Sequence, residues 1–119
     1  MTAKSWVKRR WVLKTPMSAR EELERRLVEI PDVSRRPSRY GDAFSYFVGR
    51  REIAHFHGDQ RLDVRLTKEV IRQHKADRDL DPRIRTRGPS AEWVEIHLLS
   101  ERDIPLAVAL VSEAAQANG

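Results

Sequence analysis

The stretch AFSYFVGRREIAHFHGDQRLDVRL, residues 43–66, decides the fold. Residues 43–48 are rich in aromatics, which suits a pleated, half-buried strand surface. Gly49 and Arg50 offer a two-residue hairpin turn, because glycine accepts positive φ. Residues 51–57 return as a second strand, and Gly58-Asp59 makes the next turn. Residues 61–66 alternate strictly, with Leu62, Val64 and Leu66 facing in and Arg61, Asp63 and Arg65 facing out. The stretch therefore predicts a three-stranded antiparallel meander. Within 51–57, alternation puts Ile53, His55 and His57 on one face and Glu52, Ala54 and Phe56 on the other.

Upstream, Ser18 and Glu21 form a capping-box pattern, and Leu23, Leu27 and Ile30 follow at helical spacing. This predicts a helix of about a dozen residues that ends at Pro31. Residues 31–40, rich in proline and arginine, read as irregular chain or an edge strand. Downstream, Thr67 can cap a helix running to about Lys75. Residues 76–91 are polar, carry Pro82 and Gly88-Pro89, and read as a long loop of the kind that often serves function. Residues 92–99 form a last strand, with Trp93, Glu95, His97 and Leu99 opposite a core face of Val94, Ile96 and Leu98. Asp103 and Pro105 open a closing helix with Ile104, Val108, Val111 and Ala115 inward. The order predicts one α+β domain over residues 1–119, an antiparallel sheet of about four to five strands with helices on one face.

The 119 residues contain no cysteine, which excludes disulfides, thiolate metal sites and cysteine nucleophiles. No apolar run nears the roughly 20 residues of a membrane span, and no secretory signal is visible, so the expected location is the cytoplasm. The net charge of +5 is uneven. Residues 1–40 carry 11 Lys/Arg against 5 Asp/Glu, and residues 41–119 carry 12 against 13. The basicity belongs to the N-terminal segment, residues 1–16. There Lys8, Arg9, Arg10 and Lys14 could neutralise phosphates while Trp6 or Trp11 stacks on bases. A solvated charged surface, with the tryptophans packed on the domain, accounts for the same residues.

Chemistry concentrates on the strands. If strands 51–57 and 92–99 are neighbours, His55, His57, His97 and Glu95 converge on one sheet face. Imidazole serves as a general base near neutral pH or as a metal ligand, and paired histidines also occur as ordinary half-exposed strand residues. Asp59 and Asp63 could orient the imidazoles, or be a turn residue and an exposed strand residue. Arg83, Arg85 and Arg87 could clamp an anion or simply be solvated. Trp93 is either an aromatic wall of a site or packing.

The block Arg51-Glu52-Ile53-Ala54-His55-Phe56-His57, the alternating strand after it, Gly88-Pro89, Glu92-Trp93 and Ser100-Glu101-Arg102-Asp103 before a terminal helix together resemble the luciferase domain of fungal luciferases and of short bacterial proteins. The resemblance covers about residues 40–117. It implies oxidation of a phenolic α-pyrone, such as hydroxylated hispidin, with molecular oxygen as co-substrate and no added cofactor. No metal is expected. It makes His55 and His57 the leading catalytic candidates, with Arg51 stabilising developing negative charge, and Trp93, Glu95, His97 and Asp59 as substrate contacts. This chain is shorter than the fungal enzymes and lacks their membrane-associated N-terminal part, and a shared domain does not fix a shared reaction. A nucleic-acid-binding module using residues 1–16 and a non-catalytic small-ligand binder are the other two readings. The oligomeric state is not legible.

Overall fold

The computed structural model describes residues 18–38, 44–77, 80–88 and 90–119. The basic segment, with Lys8, Arg9, Arg10, Lys14 and both of its tryptophans, lies outside the described residues.

Helix α1 spans Ala19–Leu27 and begins where the sequence places its cap. The Ser18 hydroxyl accepts the Glu21 N–H at 3.1 Å, and the Glu21 carboxylate accepts the Ser18 N–H at 3.0 Å. Two otherwise orphaned helix-end donors are thereby satisfied. The helix stops at Leu27, earlier than expected. The chain turns through residues 28–32, and Asp32 takes φ 68°. Ile30 is buried all the same, packed from the turn.

Strand β1, Val33–Pro37, resolves the proline- and arginine-rich segment as an edge strand. It can end in Pro37 because an edge tolerates a missing donor. Strands β2 (Phe44–Val48), β3 (Arg51–Phe56) and β4 (Arg61–Arg65) are the expected meander. Gly49 at φ 60° makes the β2–β3 turn. Helix α2, Lys68–Asp77, follows, with the Thr67 hydroxyl accepting the Val70 N–H. Strand β5, Ile84–Thr86, forms inside the segment read as loop, and β6 is Trp93–His97. A 3-10 turn, Glu101–Asp103, leads into helix α3, Ile104–Asn118.

The six strands run β1-β2-β3-β4-β6-β5, every pair antiparallel. That is one strand more than the upper expectation. A three-residue strand with one buried side chain, Ile84, carries too little pattern to read. It exists because Ile84 pairs opposite Ile96 and shares that strand's core face.

A single apolar cluster joins the sheet to the helices. Leu23 and Leu27 of α1, Ile71 of α2, and Ile104, Ala107, Leu110, Val111, Ala114 and Ala115 of α3 pack with Tyr46, Ile53, Ala54, Leu62, Val64, Val94 and Ile96. All three helices thus cover one sheet face. Ile104, Val111 and Ala115 of α3 are buried as expected, joined by Ala107, Leu110 and Ala114, while Val108 lies at the margin of the stripe. Among the described residues no helix is long and apolar enough to cross a membrane.

Candidate active site

The sheet face left uncovered by the described helices carries the polar residues in rows that follow the strand register. In the central row His55 of β3 stands opposite Asp63 of β4, which stands opposite Glu95 of β6. One pleat to one side, Arg65 stands opposite Trp93. One pleat to the other, Arg61 stands opposite His97, and Arg61 also receives the His57 N–H through its carbonyl. Strands β3 and β6 are therefore not neighbours. The expected adjacency of these two strands is corrected: the four residues share one sheet face, but β4 sets Arg61 and Asp63 between His55 and Glu95.

A second correction concerns β3. The register shifts between Tyr46 and Phe47, so Tyr46 pairs with Ala54 and Phe47 with Glu52, leaving Ile53 as an extra residue. This bulge turns Ile53 inward beside Ala54, both fully buried in the core. Glu52 swings to the uncovered face, where its Oε2 lies 3.4 Å from His55 Nδ1. Residues three apart on a regular strand would point to opposite faces. A bulge re-aims a side chain, and here it brings a carboxylate to a histidine.

His55 is thus held at both nitrogens. Nε2 lies 3.2 Å from Asp63 Oδ2, while Nδ1 faces Glu52 as a charge contact without an aligned hydrogen bond. The Trp93 ring reaches over β4 to lie 5.0 Å from the His55 ring, tilted 46°. The hydrogen bond to Asp63 raises the His55 pKa above the ordinary imidazole value; burial opposes it, and the Glu52 and Asp63 charges add to it.

Asp63 is the anchor of the face, only 3% exposed. Arg61 Nε donates to its Oδ1 at 2.8 Å and Arg61 nitrogen Nη2 donates to its Oδ2 at 3.1 Å. The Arg87 guanidinium lies 3.5 Å from Oδ2. Burial pushes the Asp63 carboxyl up, but the hydrogen bonds from His55 and Arg61 outweigh it and hold the pKa at about 2. Glu95 closes the network, 3.1 Å from Arg61 and 2.9 Å from Arg87.

The other expected residues lie around this centre. The His57 ring is 6.2 Å from His55 and exposed. His57, Asp59, Gln60, Arg61 and His97 line a cleft of about 500 Å³ at one end of the rows. Asp59 sits in the β3–β4 turn, 3.4 Å from Arg20. Arg51 points to the opposite end and donates to Asn118 Oδ1 at 3.4 Å. Trp93 also walls a cleft of about 450 Å³ with Arg87, Gly88, Ser90, Ala91 and Glu92. Arg83 is tied to Asp81 and to the buried Asp103. Among the described residues, no group of three or more His, Asp and Glu side chains is arranged to hold a metal.

Sequence reading missed Glu52, Arg61 and Ser45. Ser45 stands directly opposite His55 on β2, so their side chains share a face. Its fully buried hydroxyl finds no hydrogen-bond partner among the described residues, nor does His55 Nδ1.

The family model of the Luciferase domain matches residues 50–114, more than half of the chain, from the β2–β3 turn into α3. The chain belongs to the Luciferase domain family. No curated protein and no solved structure matches it. The matched span contains His55, Glu52, Asp63, Trp93 and Glu95, and the β4 strand that joins them. In this luciferase-domain chain the arrangement supports proton transfer. If the Nε2 beside Asp63 carries the proton of the neutral ring, the lone pair is on Nδ1, which faces Glu52. A proton taken there would lie beside Glu52, and the resulting imidazolium would be flanked by two carboxylates.

Proposed function

We propose that this luciferase-domain protein acts on a phenolic or pyrone-type small molecule, with His55 as general base and molecular oxygen as co-substrate. The observation that carries the reading is His55 itself: set between Asp63 and Glu52, backed by Trp93, and raised in pKa.

His55 takes the proton of an acidic enol or phenol, and Asp63 and Glu52 steady the resulting charge. Trp93 offers the substrate ring an aromatic wall. The Ser45 hydroxyl donates to the oxygen that has become negative, where a preorganised donor has most effect. The electron-rich anion then forms a carbon–oxygen bond with molecular oxygen. The substrate carbon is oxidised and oxygen is reduced to the peroxide level, so no separate reductant is required. Arg51, suggested by sequence as the charge stabiliser, reaches the reacting oxygen only if the substrate extends to the far end of the face.

The experiment is oxygen uptake and light emission by the pure protein with a panel of hydroxypyrones, including hydroxylated hispidin, and catechols. His55→Ala should lower the rate by about 100-fold or more, in the range of general-base losses. His57→Ala should retain most of it. Absence of uptake across the panel, or equal rates in wild type and His55→Ala, sinks the reading.

A further inference from the structure

One cleft of the described structure lies apart from His55. It has a volume of about 530 Å³, lies where β2, β3, β4 and the end of α3 meet, and is lined by Phe47, Val48, Arg50, Arg51, Glu52, Arg65 and Asn118. Its charges are unequally satisfied. Arg65 is paired with Glu92 at 2.8 Å. Glu52 is engaged with His55. Arg51 bonds only the neutral Asn118 side chain, and Arg50 in the hairpin turn has no carboxylate partner among the described residues. Among the described residues two guanidinium groups thus lack a carboxylate partner at the rim of a cleft whose wall includes Val48 and an edge of Phe47, the ring of which lies under the Arg36 guanidinium.

We propose that this cleft binds the carboxylate of a small organic acid, with Arg50 and Arg51 holding the carboxylate and Phe47 and Val48 receiving the apolar body. Guanidinium matches a carboxylate in planar, two-point fashion. The cleft sits at the C-terminal end of α3, whose free carbonyls bear partial negative charge. That field works against a multiply charged anion and favours a singly charged one. The apolar wall favours an acid with an organic body over a bare inorganic ion. The site stands whether or not His55 turns over a substrate. Because Glu52 belongs both to the cleft and to the His55 contact, a bound acid would touch the side chain beside Nδ1.

The test is an amide-resolved NMR titration of the full chain with 4-hydroxycinnamate, its neutral methyl ester, and inorganic phosphate. The acid should shift the amides of Phe47, Val48, Arg50, Arg51, Glu52, Arg65 and Asn118 along one saturable curve. The double variant Arg50→Gln/Arg51→Gln should weaken binding by about tenfold or more, the scale of a lost charged hydrogen bond. Arg35→Gln, on the exposed edge strand, should bind as wild type and so control for net charge. The inference is overturned if the ester binds as well as the acid or phosphate competes at equal concentration. It is equally overturned if the shifts scatter over basic surface, or if the double variant, with an otherwise unchanged spectrum, binds as tightly as wild type. The His55→Ala protein separates the two readings: it should bind the acid at this cleft even where oxygen uptake is lost.

Discussion

At the scale of single residues, His55 and Asp63 carry the consequences that are easiest to measure. Each stabilises the charged form of the other, so their titrations pull in opposite directions. Asp63, depressed to about 2, contributes stability that is present above the ordinary carboxylate range and lost as pH falls toward 2. His55, with a raised pKa, contributes stability that is full below the ordinary imidazole value and lost as pH rises through its folded value. The pair should therefore stabilise the fold most between about pH 4 and 6.5. Urea denaturation across pH should show that plateau, and Asp63→Asn should flatten it. The same substitution should lower the His55 pKa, read from its imidazole resonances by NMR. An unchanged His55 titration in Asp63→Asn would show that Asp63 does not set it. Because Asp63 also receives Arg61, its replacement should cost about 2 kcal/mol at neutral pH.

At the scale of elements, the β2–β3 hairpin does two separate jobs. Its turn depends on Gly49 at φ 60°, where an added Cβ would meet nothing within 4 Å. Gly49→Ala should thus cost about 1 kcal/mol through backbone conformation alone, a fall in Tm of about 4 °C. The bulge at Ile53 has another role, since it puts Glu52 beside His55 while the backbone on either side stays paired. Glu52→Gln should lower the His55 pKa by less than Asp63→Asn does, because Asp63 supplies the leading influence there. A larger effect from Glu52 in the NMR titration would reverse that order. The hairpin and the alternation of β4 were legible in the sequence because turn chemistry and a period of two are local properties. The bulge was not, since Ile53 and Ala54 are both apolar and either reads plausibly as facing the core. Strand β5 escaped for a related reason, as three residues hold no period.

At the scale of the whole molecule, the sheet separates packing from chemistry. One face buries the apolar cluster under α1, α2 and α3; the other carries the histidines and their ion pairs. Truncations on the first face should act on stability, and those at exposed positions of the second on function, with buried Asp63 serving both. Leu62→Ala, at a fully buried position of β4, should destabilise by about 3 kcal/mol in urea denaturation. His57→Ala, on the exposed end of the other face, should change stability by less than about 0.5 kcal/mol. Equal losses from the two substitutions would contradict this division of the sheet.

The sequence by itself determined the α+β class, the meander and the cap of α1, because each depends on local spacing, and it put forward His55 as the candidate for chemistry. It also carried the family resemblance that residues 50–114 confirm. Only the tertiary structure decided what surrounds His55. Inserting β4 between β3 and β6 turned a supposed histidine cluster into a His55–Asp63–Glu95 row bridged by arginines. The bulge exchanged the faces of Glu52 and Ile53, and the end of α3 helped shape a basic cleft away from the imidazoles. These features depend on which strands pair and in what register. Pairing is settled by the burial of whole faces against the helices, a balance summed over the molecule that no local stretch of sequence contains.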